Sequence, residues 1–184
     1  MRKKNTTDRK FPRHQWTIKP FSRIKESAKV YDRRKQKVND NKLILNCSSA
    51  GDKRFSALYA RVRLWGETKT IEEWYQTSKV FIFPEGREYQ ASTWREGKGK
   101  KPVKIRIGGK ELPVELLSEF YYALWYIYLK QNSYLVKYLK EFEDFVDPFA
   151  RPGCNSQAEA IRRFLEGKEV HPELKFLTEA GKIE

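Results

Sequence analysis

The stretch VELLSEFYYALWYIYLKQ, residues 114 to 131, constrains the fold more than any other. It follows Pro113, a residue well suited to the start of a helix. Read at helical spacing, its apolar side chains cover most of the circumference, so the helix must be wrapped on nearly all sides. The run FYYALWYIYL (120 to 129) also looks like an aromatic stacking platform, but at helical spacing it reads as core. A chain of 184 residues supplies one domain and enough side chains to cover such a helix.

The remaining punctuation sets what does the covering. LILNC (43 to 47) is a short apolar strand, and ALYARVRLW (57 to 65) alternates as a second. TIEEWYQTSK (70 to 79) reads as a helix, and VFIF (80 to 83) either extends it or forms a strand. VKIRI, Gly108-Gly109 and KELPV form a two-residue hairpin. Beyond the central helix, Asn132 or Ser133 caps a helix YLVKYLKEFEDF that Pro148 stops. Ser156 and Glu159 make the capping box of AEAIRRFL, which ends at Gly167. Pro172 opens a last short helix ending near Gly181. No internal repeat is present. The expected class is α+β: a mostly helical single domain over 41–184, with a small β element in its first half.

Residues 1–40 differ in kind, with fourteen Lys or Arg against four Asp or Glu. They read as a basic arm, disordered or ordered by a partner, and include Arg33, Arg34 and Lys35. The whole chain carries a formal charge of +14 and a pI near 9.7. That balance favours nucleic acid or another anionic, nucleotide-like partner; the plainer alternative is a tail that only confers solubility. The loop PEGREYQASTWREGKGKKP adds Trp94, Lys98, Lys100 and Lys101. Its REGKGKKP segment lacks the phosphate-loop pattern, and it reads as a basic loop over an anionic ligand or as a merely exposed one.

The two cysteines, Cys47 and Cys154, and the two histidines, His14 and His171, have no metal-ligand or disulfide spacing. No metal or cofactor is expected. No apolar run reaches the roughly 18 residues of a membrane span, and no apolar segment follows the basic N-terminus. The expectation is a cytoplasmic protein without membrane contact.

The chemistry concentrates in TIEEWYQTSK. Thr70 and Glu73 have capping-box spacing, so Glu73 answers the Thr70 backbone. Glu72 is left over. At helical spacing it shares a face with Tyr75, Gln76 and Lys79. The ordinary reading of Glu72 is a favourable charge in the first helical turn, loosely paired with Lys79. Asp147 is the other unusual carboxylate: before Pro148, at a helix C-terminus, it opposes the macrodipole.

FSALY (55 to 59), Gly66, and E-x-x-Y-Q-x-x-K at Glu72, Tyr75, Gln76 and Lys79 resemble the NADAR superfamily. YLKQNSYLVKYL, Asp147, and Asn155 followed by IRRF resemble its later motifs. Ala57 replaces the family's usual asparagine, Pro148-Phe149 stand where it has tryptophan and glycine, and Gln157 or Ala158 lies nearest its missing glycine. Known NADAR activities include cleaving a ribosyl-phosphate riboflavin precursor and removing ADP-ribose from guanine. The resemblance therefore implies hydrolysis of an N-glycosidic bond. In that reading Glu72 and Asp147 are the catalytic carboxylates for an oxocarbenium-like transition state. Arg54, Lys79 and Lys98 neutralise phosphates, and Tyr75, Trp94 or Trp65 stack on a base. Phe55, Ser56, Gln76 and Asn155 complete the substrate site, and Arg33, Arg34, Lys35, Lys98, Lys100 and Lys101 contact nucleic acid. Two other classes fit the same sequence: a non-catalytic nucleic-acid-binding protein, and a binder of free ADP-ribose-type nucleotides.

Overall fold

The computed structural model describes residues 43–93, 95–96, 100–150 and 155–182, together with the backbone of 35–37. All of them belong to one compact unit, Asp32–Glu184. The fold is α+β. Its centre is α2, Leu117–Gln131, entered through a 3-10 turn Val114–Leu116 after Pro113. Phe120, Tyr121, Ala123, Leu124, Trp125, Ile127, Tyr128 and Leu129 are all buried along it. The all-round apolar surface read from the sequence is thus a packed core.

Three small sheets complete the fold. In the first, β1 (Lys35–Lys37) pairs antiparallel to β2 (Leu43–Asn46), whose other edge pairs parallel to β9 (Asp144–Val146). Residues 35–37 of the basic N-terminal segment therefore belong to the sheet. The second is a hairpin of β3 (Arg61–Leu64) and β4 (Glu67–Thr70), turning through Trp65-Gly66. The third runs β6-β5-β7-β8, from Glu88–Gln90, Lys79–Ile82, Lys104–Ile107 and Lys110–Pro113. Its Gly108-Gly109 turn has φ of +56° and +74°, the primed geometry that a two-residue hairpin requires.

The helices on the sequence follow their caps. Thr70 opens α1 (Ile71–Thr77) with the full reciprocal capping box to Glu73. Ser156 caps α4 (Gln157–Leu165), and α5 (Lys175–Ala180) follows the Pro172–Leu174 turn. The helix expected to run to Pro148 is shorter: α3 is Ser133–Leu139. Phe142 is buried, and Asp144–Val146 pairs with β2 instead. The strand is held from the far side by Arg162 of α4, which donates to Asp144 Oδ1 at 2.9 and 3.1 Å and to the Phe145 carbonyl. A buried sheet position thus overrode a good local helix pattern. No helix among the described residues is long and apolar enough to cross a membrane.

Candidate functional site

The leftover glutamate has a defined place. Glu73 is consumed by the cap: its Oε2 accepts from the Thr70 N–H at 2.8 Å, and its own N–H donates to Thr70 Oγ1 at 3.1 Å. Glu72 takes no part in this. Its Oε1 accepts from Gln76 Nε2 at 3.0 Å, and Gln76 Oε1 accepts from Lys79 Nζ at 2.8 Å. Carboxylate, amide and ammonium thus form one continuous row.

Lys79 does not lie on the helix. α1 ends at Thr77, and Lys79 is the first residue of β5. The turn at Ser78 nonetheless brings its ammonium back onto the helical face, 3.9 Å from the Tyr75 ring centroid. Lys79 is only 8% exposed. Burial pulls its pKa from 10.5 down to about 8, against the opposing pull of the Glu72 carboxylate. A buried lysine at such a cost is uncommon in a purely structural setting.

Tyr75 anchors the other side of the row. Its hydroxyl accepts from Asn155 Nδ2 at 2.8 Å, and its ring meets Tyr121 edge-on at 5.1 Å. Tyr121 is almost fully buried, and desolvation pushes its hydroxyl well above the usual phenol range. The charges of Glu72 and Asp147 add to that shift in the same direction. The buried Trp125 N–H turns toward the Tyr121 oxygen without completing a well-formed hydrogen bond.

Asp147 reaches this neighbourhood by a different route from the one its sequence suggests. It follows a strand, so the macrodipole argument does not apply. Its Oδ1 accepts from the Phe149 N–H at 3.2 Å, and its Oδ2 from Gln157 Nε2 at 3.1 Å. Gln157 Oε1 in turn accepts the Ala57 N–H, and the Ala57 carbonyl accepts the Glu72 N–H at 2.9 Å. Asp147 and Glu72 are joined through Gln157 and Ala57. Gln157 was visible in the sequence only as the residue near a missing glycine; nothing local marked it as the tie between them.

The other expected residues separate. Arg54 is exposed, held by Asp52 at 2.6 Å and stacked over Tyr138 at 4.3 Å. Phe55 is fully buried and stacks on Tyr138, so it belongs to the core and is not a substrate contact. Ser56 is also buried, and its carbonyl accepts the N–H groups of Tyr59 and Ala60 to close the turn. Trp65 lies against Gly108 and Phe176, at the far end of the β3-β4 hairpin from Thr70. Both ends of the basic loop return to β5, through Ala91 N–H to the Lys79 carbonyl and Val103 N–H to the Val80 carbonyl. Within it, Lys100 donates to the Tyr89 hydroxyl at 2.8 Å, and Lys101 is exposed. Arg33, Arg34, Trp94, Lys98 and Cys154 lie outside the described residues, as does the side chain of Lys35. Cys47 is buried with its thiol pKa pushed far up by desolvation, which leaves it no nucleophilic role. Among the described residues no group of three or more His, Cys, Asp or Glu could hold a metal ion.

No family model matches the chain, and no curated protein matches it.

Proposed function

We propose that the chain is an N-glycosidase that hydrolyses the C1–N bond joining a ribosyl phosphate or ADP-ribose to a base, with ADP-ribosyl-guanine in nucleic acid as the favoured substrate. The observation that carries this reading is the Glu72–Gln76–Lys79 row, in which a buried ammonium of lowered pKa shares an amide with a carboxylate. Glu72 Oε2 accepts no hydrogen bond from any described residue, so that oxygen is unspent.

The chemistry follows from these groups. When the C1–N bond breaks, its electron pair leaves with the base nitrogen and the sugar becomes oxocarbenium-like. Glu72 opposes that positive charge and takes the proton of the water that adds to C1. The departing nitrogen needs a proton, and an ammonium titrating near pH 8 is suited to give it. Asp147 has both oxygens engaged, which supports a positioning role through Gln157 rather than a second reacting carboxylate. Arg54 is already paired with Asp52, so no phosphate is assigned to it.

The test is direct. The full chain is incubated with single-stranded DNA bearing ADP-ribosyl-guanine in ¹⁸O-water. Release of ADP-ribose labelled at C1, with guanine restored, is the expected result. An intact substrate with tight, salt-sensitive binding would instead favour the non-catalytic nucleic-acid-binding reading, for which the net charge of +14 speaks.

A further inference from the structure

We infer that the face formed by the Lys53–Phe55 turn, the following loop and β3 is a binding track for single-stranded nucleic acid leading to Glu72. This rests on the glycosidase reading for its destination. The surface itself stands on separate observations. Lys53 is exposed and lies 5.0 Å over the ring of Tyr59, itself 49% exposed. Leu58 beside it is 46% exposed. In β3 the burial alternates, with Val62 and Leu64 inside and Arg61 and Arg63 outside. The two arginines therefore share one face, about 7 Å apart along the strand. Lys53, Arg61 and Arg63 have no carboxylate partner among the described residues. The half-buried Lys104 and Arg106 are instead neutralised by Glu88 and Glu111, while exposed lysines such as Lys101, Lys110 and Lys137 share the lack of a carboxylate partner among the described residues but not the alignment beside an exposed ring.

The segment adjoins the helix of the site through the backbone. The Ala60 carbonyl accepts the Ile71 N–H and the Ala57 carbonyl accepts the Glu72 N–H, each at 2.9 Å. Arg61 pairs in register with Thr70, the cap of the helix that carries Glu72. Cations interleaved with an exposed aromatic ring are what an unpaired strand recognises: the charges follow its phosphates and the ring stacks on a base. A duplex keeps its bases stacked and offers Tyr59 nothing to stack on.

Binding is measured by fluorescence anisotropy of the full chain with an unmodified labelled strand of about 12 nucleotides, across a salt series. The triple variant Lys53→Ala, Arg61→Ala, Arg63→Ala is expected to lower the slope of log K against log salt by about 2, at roughly 0.7 per lost phosphate contact. Tyr59→Ala is expected to weaken binding roughly tenfold with the slope unchanged. A control triple variant of the ion-paired Lys168, Lys175 and Lys182 to Ala should bind as wild type. A wild-type slope in the first variant would overturn the inference, as would a duplex of the same length binding equally well with Tyr59→Ala silent. The unmodified strand keeps this result independent of hydrolysis. If ADP-ribose is not released at all, the glycosidase reading falls and the anisotropy still decides the track. If it is released, the triple variant should raise KM on the strand and leave turnover of ADP-ribosyl-guanosine unchanged.

Discussion

At the scale of single residues, two adjacent glutamates divide the labour of one helix start. Glu73 closes the cap and Glu72 is left facing Gln76 and Lys79. Lys79 is the residue whose behaviour separates a structural cluster from a working one. Its folded pKa, about 8, lies below its ordinary value of 10.5. Between those values the unfolded chain binds more protons than the folded one, so this group makes stability rise with pH from about 8 to 10.5. Below pH 8 the buried charge is a cost. Lys79→Met is therefore expected to hold or raise the melting temperature at pH 7 and to remove the rise above pH 8, while abolishing turnover. Thermal melts across pH with a parallel activity assay check this. A large loss of stability at pH 7 would assign Lys79 to structure. On the proposed reading the pH profile of the wild-type protein carries the same signature: hydrolysis should fall above pH 8 as the ammonium is lost.

At the scale of elements, the parts governed by local chemistry were legible and those governed by distant partners were not. The capping boxes at Thr70 and Ser156, the Gly108-Gly109 turn and the apolar helix after Pro113 all declare themselves in a few neighbouring residues. Asp144–Val146 did not, because its strand character comes from β2, about a hundred residues earlier, and from Arg162 behind it. Trp65-Gly66 gave no clear turn signal either, since Trp65 holds a φ of +48° that tryptophan rarely adopts. Two element-scale predictions follow from this contrast. Gly108→Ala places a Cβ 2.2 Å from the Trp65 ring at a φ of +56°, and should cost about 1–3 kcal/mol in denaturant unfolding. It should leave activity per folded molecule intact. Gln157→Ala cuts the tie between Asp147 and Ala57. It should lower kcat on the nucleoside substrate by tenfold or more, on the order of 1.4 kcal/mol, with KM little changed. Gln157→Glu, which sets a carboxylate oxygen against Asp147 where the amide donated, should not recover it.

At the scale of the whole molecule, a core built on one helix leaves the surface to charge. The site was partly legible: Glu72, Tyr75, Gln76 and Lys79 share one short motif and the resemblance named Asn155, which meets Tyr75, whereas Gln157 reaches it only through folding. Residues 1–34 carry twelve Lys or Arg against three Asp or Glu. Their removal is expected to weaken binding of a single strand and flatten its salt dependence, while turnover of ADP-ribosyl-guanosine stays as it was; a drop in nucleoside turnover would place the arm in the reaction itself. The central claim is that Glu72 reacts and Glu73 only caps. It is tested most directly by measuring ADP-ribose release from ADP-ribosyl-guanine in single-stranded DNA by Glu72→Gln and Glu73→Gln side by side with wild type. The account predicts that Glu72→Gln melts like wild type and loses at least a hundredfold in turnover with binding retained. Glu73→Gln keeps an acceptor for the Thr70 N–H, so it should melt close to wild type and keep its activity. Equal activity in the two variants, or release that survives Glu72→Gln, would contradict it.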